Sequence, residues 1–234
     1  MSKSFMNWSS GKDACYSLLA IKPHLKPELL FTTISKELQR VSMHGLHKSL
    51  LEQQAKALNI PLRIAELEKS SSHAAYEKLM QEEMAQLKAQ GFETAIFGDI
   101  FLEDLKLYRE RMLSTVPMEA HFPLWKKDSK ILAKEIIKSG IKAIVVCVDG
   151  QKLPEDFAGR IYNEQFLNDL PEKIDPCGEN GEFHTFCFDG PMFKNPVDFE
   201  LGGINKSTYP VPKGSESHLT EYVFYFRDLI AKHG

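Results

Sequence analysis

Through its first 150 residues the chain alternates between two hydrophobic periods, and few folds accept that pattern. Phe5, Met6 and Trp8 begin a strand, and Ala14, Cys15, Leu18 and Leu19 then recur at helical spacing. Pro23 and Pro27 end that helix. Leu29 to Ile34 is apolar enough for a strand covered on both faces. Leu46, Leu50, Leu51, Ala55 and Leu58 mark a second helix, ended by Asn59 and Pro61, and Leu62 to Leu67 is a third strand. The run Ser70-Ser71-Ser72 supplies caps for a third helix carrying Tyr76, Leu79, Met80, Met84 and Leu87, and Gly91 stands where a C-terminal glycine is expected. Thr94 to Phe97 is a fourth strand. A helix from Glu103 to Leu113, an extended piece from Ala120 to Trp125 and an Asp128-capped helix follow, and Ala143 to Val148 is expected to be the last strand of the series.

Strands separated by helices of this length predict a parallel α/β sheet with right-handed crossovers and helices on both faces. Ligands of such sheets bind at the carboxyl ends of strands. That edge receives the loop after the first strand, Gly98-Asp99 and the segment after Val148. Past Gly150, proline and glycine become frequent, and helical spacing survives mainly between Ile161 and Leu170. Strands are expected over Phe183 to Phe188, Val197 to Ile204 and Tyr222 to Phe226. The expected division is residues 1–150 as the parallel α/β unit and 151–234 as a smaller α+β unit packed over the strand ends.

Composition sets outer limits. With 234 residues and 43% hydrophobic content the chain can bury a core without staples. A net charge of −3 argues against a general nucleic-acid or membrane surface, so the stripe Lys126, Lys130, Lys134 and Lys138 reads as a solvated helix face. Cys15, Cys147, Cys177 and Cys187 form no Cys-x-x-Cys pair, which disfavours zinc and suits a reducing cytoplasm. No apolar run reaches the ~18 residues of a membrane span.

Two stretches carry chemistry. In the first, Ser9, Ser10 and Gly11 form a small-residue turn between strand and helix. The free N–H groups of a helix start, with the helix dipole, suit an anion and above all a phosphate. Lys12 adds a full charge, and Asp13 and Ser10 suit the orienting of amides or of metal-bound water. The turn has neither the Walker spacing nor the Gly-x-Gly-x-x-Gly pattern. In the second, Asp175 to Thr185, two glycines and a proline bend a loop that brings together Glu179, Asn180, Glu182, His184 and Thr185. Other positions read more plainly. Asp99 stands where the helix after the fourth strand would take its cap. Arg109 reads as a solvated helix residue, although no acid lies three or four residues away to pair with it. His44 and His47 suggest a metal by spacing, but no third ligand is evident.

The first turn resembles the loop of ATP pyrophosphatases, usually Ser-Gly-Gly-x-Asp-Ser: Ser9, Gly11 and Asp13 match, while Ser10 replaces a glycine and Ala14 a serine. With Ser42-Met43-His44-Gly45, Phe97-Gly98-Asp99-Ile100, Arg109, Pro123-Leu124-Trp125, Asp175 to Thr185 and Asp189-Gly190-Pro191-Met192-Phe193, the chain resembles the diphthine–ammonia ligase family, within the adenine nucleotide alpha hydrolase-like superfamily. The resemblance implies a Rossmann-like (HUP-type) sheet plus a C-terminal α+β unit. It also implies binding of ATP and Mg²⁺, transfer of AMP to a substrate carboxylate with release of pyrophosphate, and attack by ammonia. Ser9, Ser10, Gly11, Lys12, Asp13, His44, Gly98, Asp99 and Arg109 would then hold the nucleotide, and Asp13 and Asp99 the metal. Lys12, Asp13, Glu179, Glu182 and His184 would carry the chemistry. The implied partners are ATP, ammonia and a carboxylate-bearing small molecule or modified protein side chain, with a homodimer left open. Two alternatives stand beside this: sulfur transfer, for which Cys177 is the candidate thiol, and an ATP- or AMP-binding module without turnover.

Overall fold

A computed structural model describes residues 3–41, 44–68, 72–211 and 219–232. Ser42 and Met43 of the expected motif, and Ser70 and Ser71 of the serine run, lie outside the described residues. The elements are β1 (Lys3–Asn7), α1 (Lys12–Ala20), β2 (Leu29–Ser35), β3 (Arg40–Val41), α2 (Lys48–Leu58), β4 (Leu62–Leu67), α3 (His73–Ala89), β5 (Phe92–Ile96), α4 (Glu103–Leu113), β6 (Glu119–His121), α5 (Ser129–Lys138), β7 (Lys142–Asp149), α6 (Glu164–Asp169), β8 (Phe183–Asp189), β9 (Phe199–Pro210) and β10 (Glu221–Ala231).

The helix boundaries follow local chemistry. The Ser72 hydroxyl accepts from Ala75 N at 3.2 Å and caps α3. Asp128 caps α5 in the same way through Ile131 N at 2.9 Å. The α2 cap is His47, whose ring nitrogen Nδ1 accepts from Ser49 N at 3.2 Å. Asn59, at φ 55°, ends α2 in the left-handed region.

Five parallel strands run in the order β4-β2-β1-β5-β6, and β3 lies antiparallel to the end of β2. The order reverses between β1 and β5, which makes that crevice the topological switch point. Alternate residues of each strand enter opposite cores. Phe5, Phe31 and Ala95 pack with Met80, Met84 and Leu113 of α3 and α4. Met6, Leu30 and Ile96 pack with Leu50, Leu51 and Leu132 of α2 and α5. The sheet therefore has helices on both faces, as the alternation requires.

One strand departs from expectation. β7 does not close the parallel sheet. It is antiparallel to both its neighbours in a second sheet ordered β8-β7-β10-β9. Ala143 to Val148 is buried throughout, a pattern shared by parallel and central antiparallel strands, so periodicity does not reveal the partners. The piece expected over Ala120 to Trp125 is strand only to His121. The second sheet adds Ile144, Val146 and Phe186 to the core that holds Met6 and Leu30, so one apolar cluster spans both sheets. This continuity sets β8 and the loop before it against the start of α1. Among the described residues no helix is long and apolar enough to cross a membrane.

Candidate functional site

The turn after β1 is held in an unusual backbone shape. Ser10 has φ 71°, the left-handed region that glycine enters freely and serine does not. Its hydroxyl is fully buried with no hydrogen-bond partner among the described residues. Gly11 is the N-cap of α1 and offers no side chain to the orphan amides. A Cβ on Gly11 would meet Thr185 O at 3.2 Å and His44 at 3.4 Å, so glycine here permits close approach of β8. Thr185 supplies the missing cap: its hydroxyl accepts from Lys12 N at 3.1 Å across 173 residues of sequence. Gly11 N donates to Ser9 Oγ at 3.3 Å, and Ser10 O accepts from Cys187 N at 2.9 Å.

Lys12 does not reach outward as a free phosphate clamp. Its side chain is 2% exposed and its ammonium turns to the Asp13 carboxylate, at 2.9 and 3.1 Å, and to Cys177 O. The rings of Tyr162 and Phe183 each stand 5.2 Å from Nζ. Burial works against the charge, but the negative groups around it, Asp13 foremost, prevail and raise the Lys12 pKa. Lys12 is thus an ammonium that ties the opening turn to the second loop.

Across the switch point, Gly98 follows β5. A Cβ there would meet Ala14 N at 3.2 Å and the Asp13 carbonyl carbon at 3.3 Å, so the missing side chain lets α1 start beside β5. Asp99 is not a helix cap, since the N-cap of α4 is Leu102. Asp99 Oδ2 instead lies 3.6 Å from Arg109 Nε, both side chains being mostly buried, and Arg109 stacks over Phe97 at 5.1 Å. Burial raises the Asp99 carboxyl pKa against the pull of Arg109.

The second loop supplies the facing wall. Glu179 Oε1 accepts from Ile100 N at 2.7 Å and Phe101 N at 3.3 Å. Burial outweighs these bonds and pushes the Glu179 carboxyl up to about 7. Glu182 turns the other way. It is 2% exposed, and its Oε1 accepts from Asp175 N and from Asn180 Nδ2, stitching the loop together. His44 and His184 lie face to face but tilted by 34°, with ring centroids 4.7 Å apart, and His44 Nδ1 lies 3.3 Å from Thr185 O. Burial pushes His44 down to about 4 and His184 well below its ordinary value, so both rings are neutral at neutral pH. The Nε2 of His184 has no hydrogen-bond partner among the described residues.

These groups share one cleft of about 580 Å³. Ser9, Gly11, Lys12 and Asp13 line one side, Gly98, Asp99 and Arg109 a second, and His44, Glu179 and His184 a third. Ser10 and Glu182 stand behind its surface. A larger cleft of about 870 Å³ lies next to it, walled by Leu38 and by Tyr209, Phe224 and Phe226 of β9 and β10; Val41 and Leu67 line both. Two participants escape the sequence reading. One is the aromatic pair around Lys12. The other is Gln54, fully buried behind the turn, whose only signal is a polar residue on the apolar face of α2. Cys177 is buried, its thiol donates to Ser129 O, and burial raises its pKa, which is poor preparation for sulfur transfer.

A doubly wound sheet with a cleft at its switch point defines the class: an α/β protein with a cleft at its strand ends. Comparison with known proteins names the family. The diphthamide synthase N-terminal domain matches residues 2–120 and the C-terminal domain residues 128–208, and the chain belongs to that family. It is 26% identical over 216 residues to diphthine–ammonia ligase of Danio rerio, covering 81% of this chain and 83% of the relative. It is 24% identical over 213 residues to the human protein of the same name, covering 81% and 79%.

Two outcomes follow from this geometry. Ser10→Gly relieves the left-handed serine and removes a buried unpaired hydroxyl. It is expected to raise stability by about 1 kcal/mol in urea denaturation after the added chain entropy is offset. Glu179 binds its proton more tightly folded than unfolded, so it lowers stability as pH rises from its ordinary 4.5 to about 7. Glu179→Gln keeps an acceptor for Ile100 and Phe101, and urea midpoints measured from pH 4.5 to 8 should then decline less steeply than in the wild type.

Proposed function

We propose that the protein is an ATP-dependent amide-forming ligase of the diphthine–ammonia ligase type. The observation that carries this reading is the convergence, in one switch-point cleft, of a helix start suited to phosphate, two carboxylates and a carboxyl poised near neutrality. A carboxylate is a poor acyl donor until one oxygen becomes part of a good leaving group. Attack of that oxygen on the α-phosphorus of ATP forms the acyl–AMP bond and breaks the bond to pyrophosphate. Nitrogen attack on the acyl carbon then forms the amide and releases AMP.

The amides at the start of α1 and the Arg109 guanidinium suit the polyphosphate. Asp13 and Asp99 would hold Mg²⁺, an ion usually bound through only one or two protein carboxylates. Asp99 Oδ2 is buried and makes no hydrogen bond among the described residues, which leaves a lone pair for that ion. Mg²⁺, when bound, neutralises charge on the phosphates. Glu179, with a pKa of about 7, suits removal of a proton from the incoming ammonium. The neutral imidazoles of His44 and His184 suit orientation of the acyl group more than proton transfer. The larger cleft leaves room for the carboxylate-bearing substrate beside the nucleotide.

Incubated with Mg²⁺-ATP, ammonium and the right acid, the protein is expected to yield AMP, pyrophosphate and amide by chromatography. ADP and phosphate as the only products, with every acid tried, would overturn the reading. Asp13→Ala should weaken Mg²⁺-ATP binding about tenfold or more in calorimetry; an unchanged affinity removes Asp13 from the nucleotide site.

A further inference from the structure

Gln54 lies at the centre of the inward face of α2, among Leu50, Leu51, Ala55 and Leu58, with no solvent exposure. A buried carboxamide must find partners for two donors and an acceptor. All its partners lie on the turn after β1 and the strand that braces it. Nε2 donates to Ser10 O at 3.1 Å and to Cys187 O at 2.6 Å, and Oε1 accepts from Trp8 Nε1 at 2.7 Å. The indole N–H only donates and the two carbonyls only accept, so a single orientation of the amide satisfies all three. Ser10 O also accepts from Cys187 N at 2.9 Å. The carbonyl of the one left-handed serine in the turn is therefore gripped from two elements at once.

We propose that Gln54 is a positioning residue for the anion-binding turn. By holding the Ser10 carbonyl from behind, it keeps Ser10 left-handed and so sets where the amides of Gly11 and the α1 start point. Glycine enters this conformation unaided, whereas serine needs external restraint. The grip itself stands on the geometry alone; its consequence for ATP rests on the function proposed above.

The test uses the full chain and Gln54→Met, which nearly conserves volume and removes all three hydrogen bonds. Gln54→Glu, which keeps the acceptor toward Trp8 and at most one donor, serves as a second variant. Amide exchange in the free protein should quicken at least ~10-fold over residues 8–13. The Kd for Mg²⁺-ATP should rise ~10-fold or more. Ser10→Gly added to Gln54→Met should recover most of that affinity, because glycine needs no grip, although stability returns only in part. Met84→Ala, in the opposite core, should lower stability and leave both readouts unmoved. Unchanged exchange over residues 8–13 in both Gln54 variants overturns the grip, whether or not nucleotide binds. Faster exchange with an unchanged Kd, or no recovery with Ser10→Gly, overturns the positioning role. A wild-type protein that does not bind Mg²⁺-ATP, with exchange still quickened in the variants, overturns the ATP reading and leaves the grip standing.

Discussion

A buried ammonium is tolerated only where fixed oxygens and ring faces replace the water it has given up. Lys12 meets that condition with groups from three places: the neighbouring Asp13 carboxylate, the Cys177 carbonyl of the second loop, and the rings of Tyr162 and Phe183. The charge cannot be housed unless the second loop closes over the start of α1. The loop in turn brings Glu179 to the amides of Ile100 and Phe101 beside the end of β5. One ammonium thus joins the end of β1 to a segment more than 160 residues away, through its bond to Cys177 O. Without that closure the cleft would lack its third wall.

The shape of the turn depends on the same closure. Ser10 is held left-handed while β8 grips its carbonyl through Cys187 N, and Thr185 caps the first amide of α1. Two residues of the cleft are small for steric reasons visible in the packing. Gly11 admits β8, and Gly98 admits α1. Acid, base and neutral groups are sorted by burial: Glu179 is lifted to about 7, while His44 and His184 are held neutral. A cleft with these settings has a carboxyl near neutrality beside two imidazoles that stay uncharged.

Much of this was legible in the sequence, for reasons of local physics. Periodicity located β1, β2, β4, β5 and the helices between them because each strand serves two cores and each helix one. Ser72, Asp128 and Asn59 act within a turn of their own helix, so their roles could be read or closely approached from neighbours alone. That Gly11, Asp13, Gly98 and Asp99 line one cleft followed from strand ends meeting at a single edge. The direction of Lys12, the partnership of Asp99 with Arg109, the inward turn of Glu182 and the role of Gln54 did not follow. Each depends on atoms brought near by packing, and no spacing rule reaches across such separations.

By itself the sequence determined the alternation of elements, the strand ends at which chemistry collects, and the types of group available there, because helix spacing, caps and turn residues act over a few positions. Only the tertiary structure decided that β7 leaves the parallel sheet, that Thr185 rather than a neighbour caps α1, that Lys12 points inward, and that Gln54 holds Ser10. Those outcomes are choices among partners of similar local character. They are settled by which hydrogen bonds survive burial once two sheets share one core.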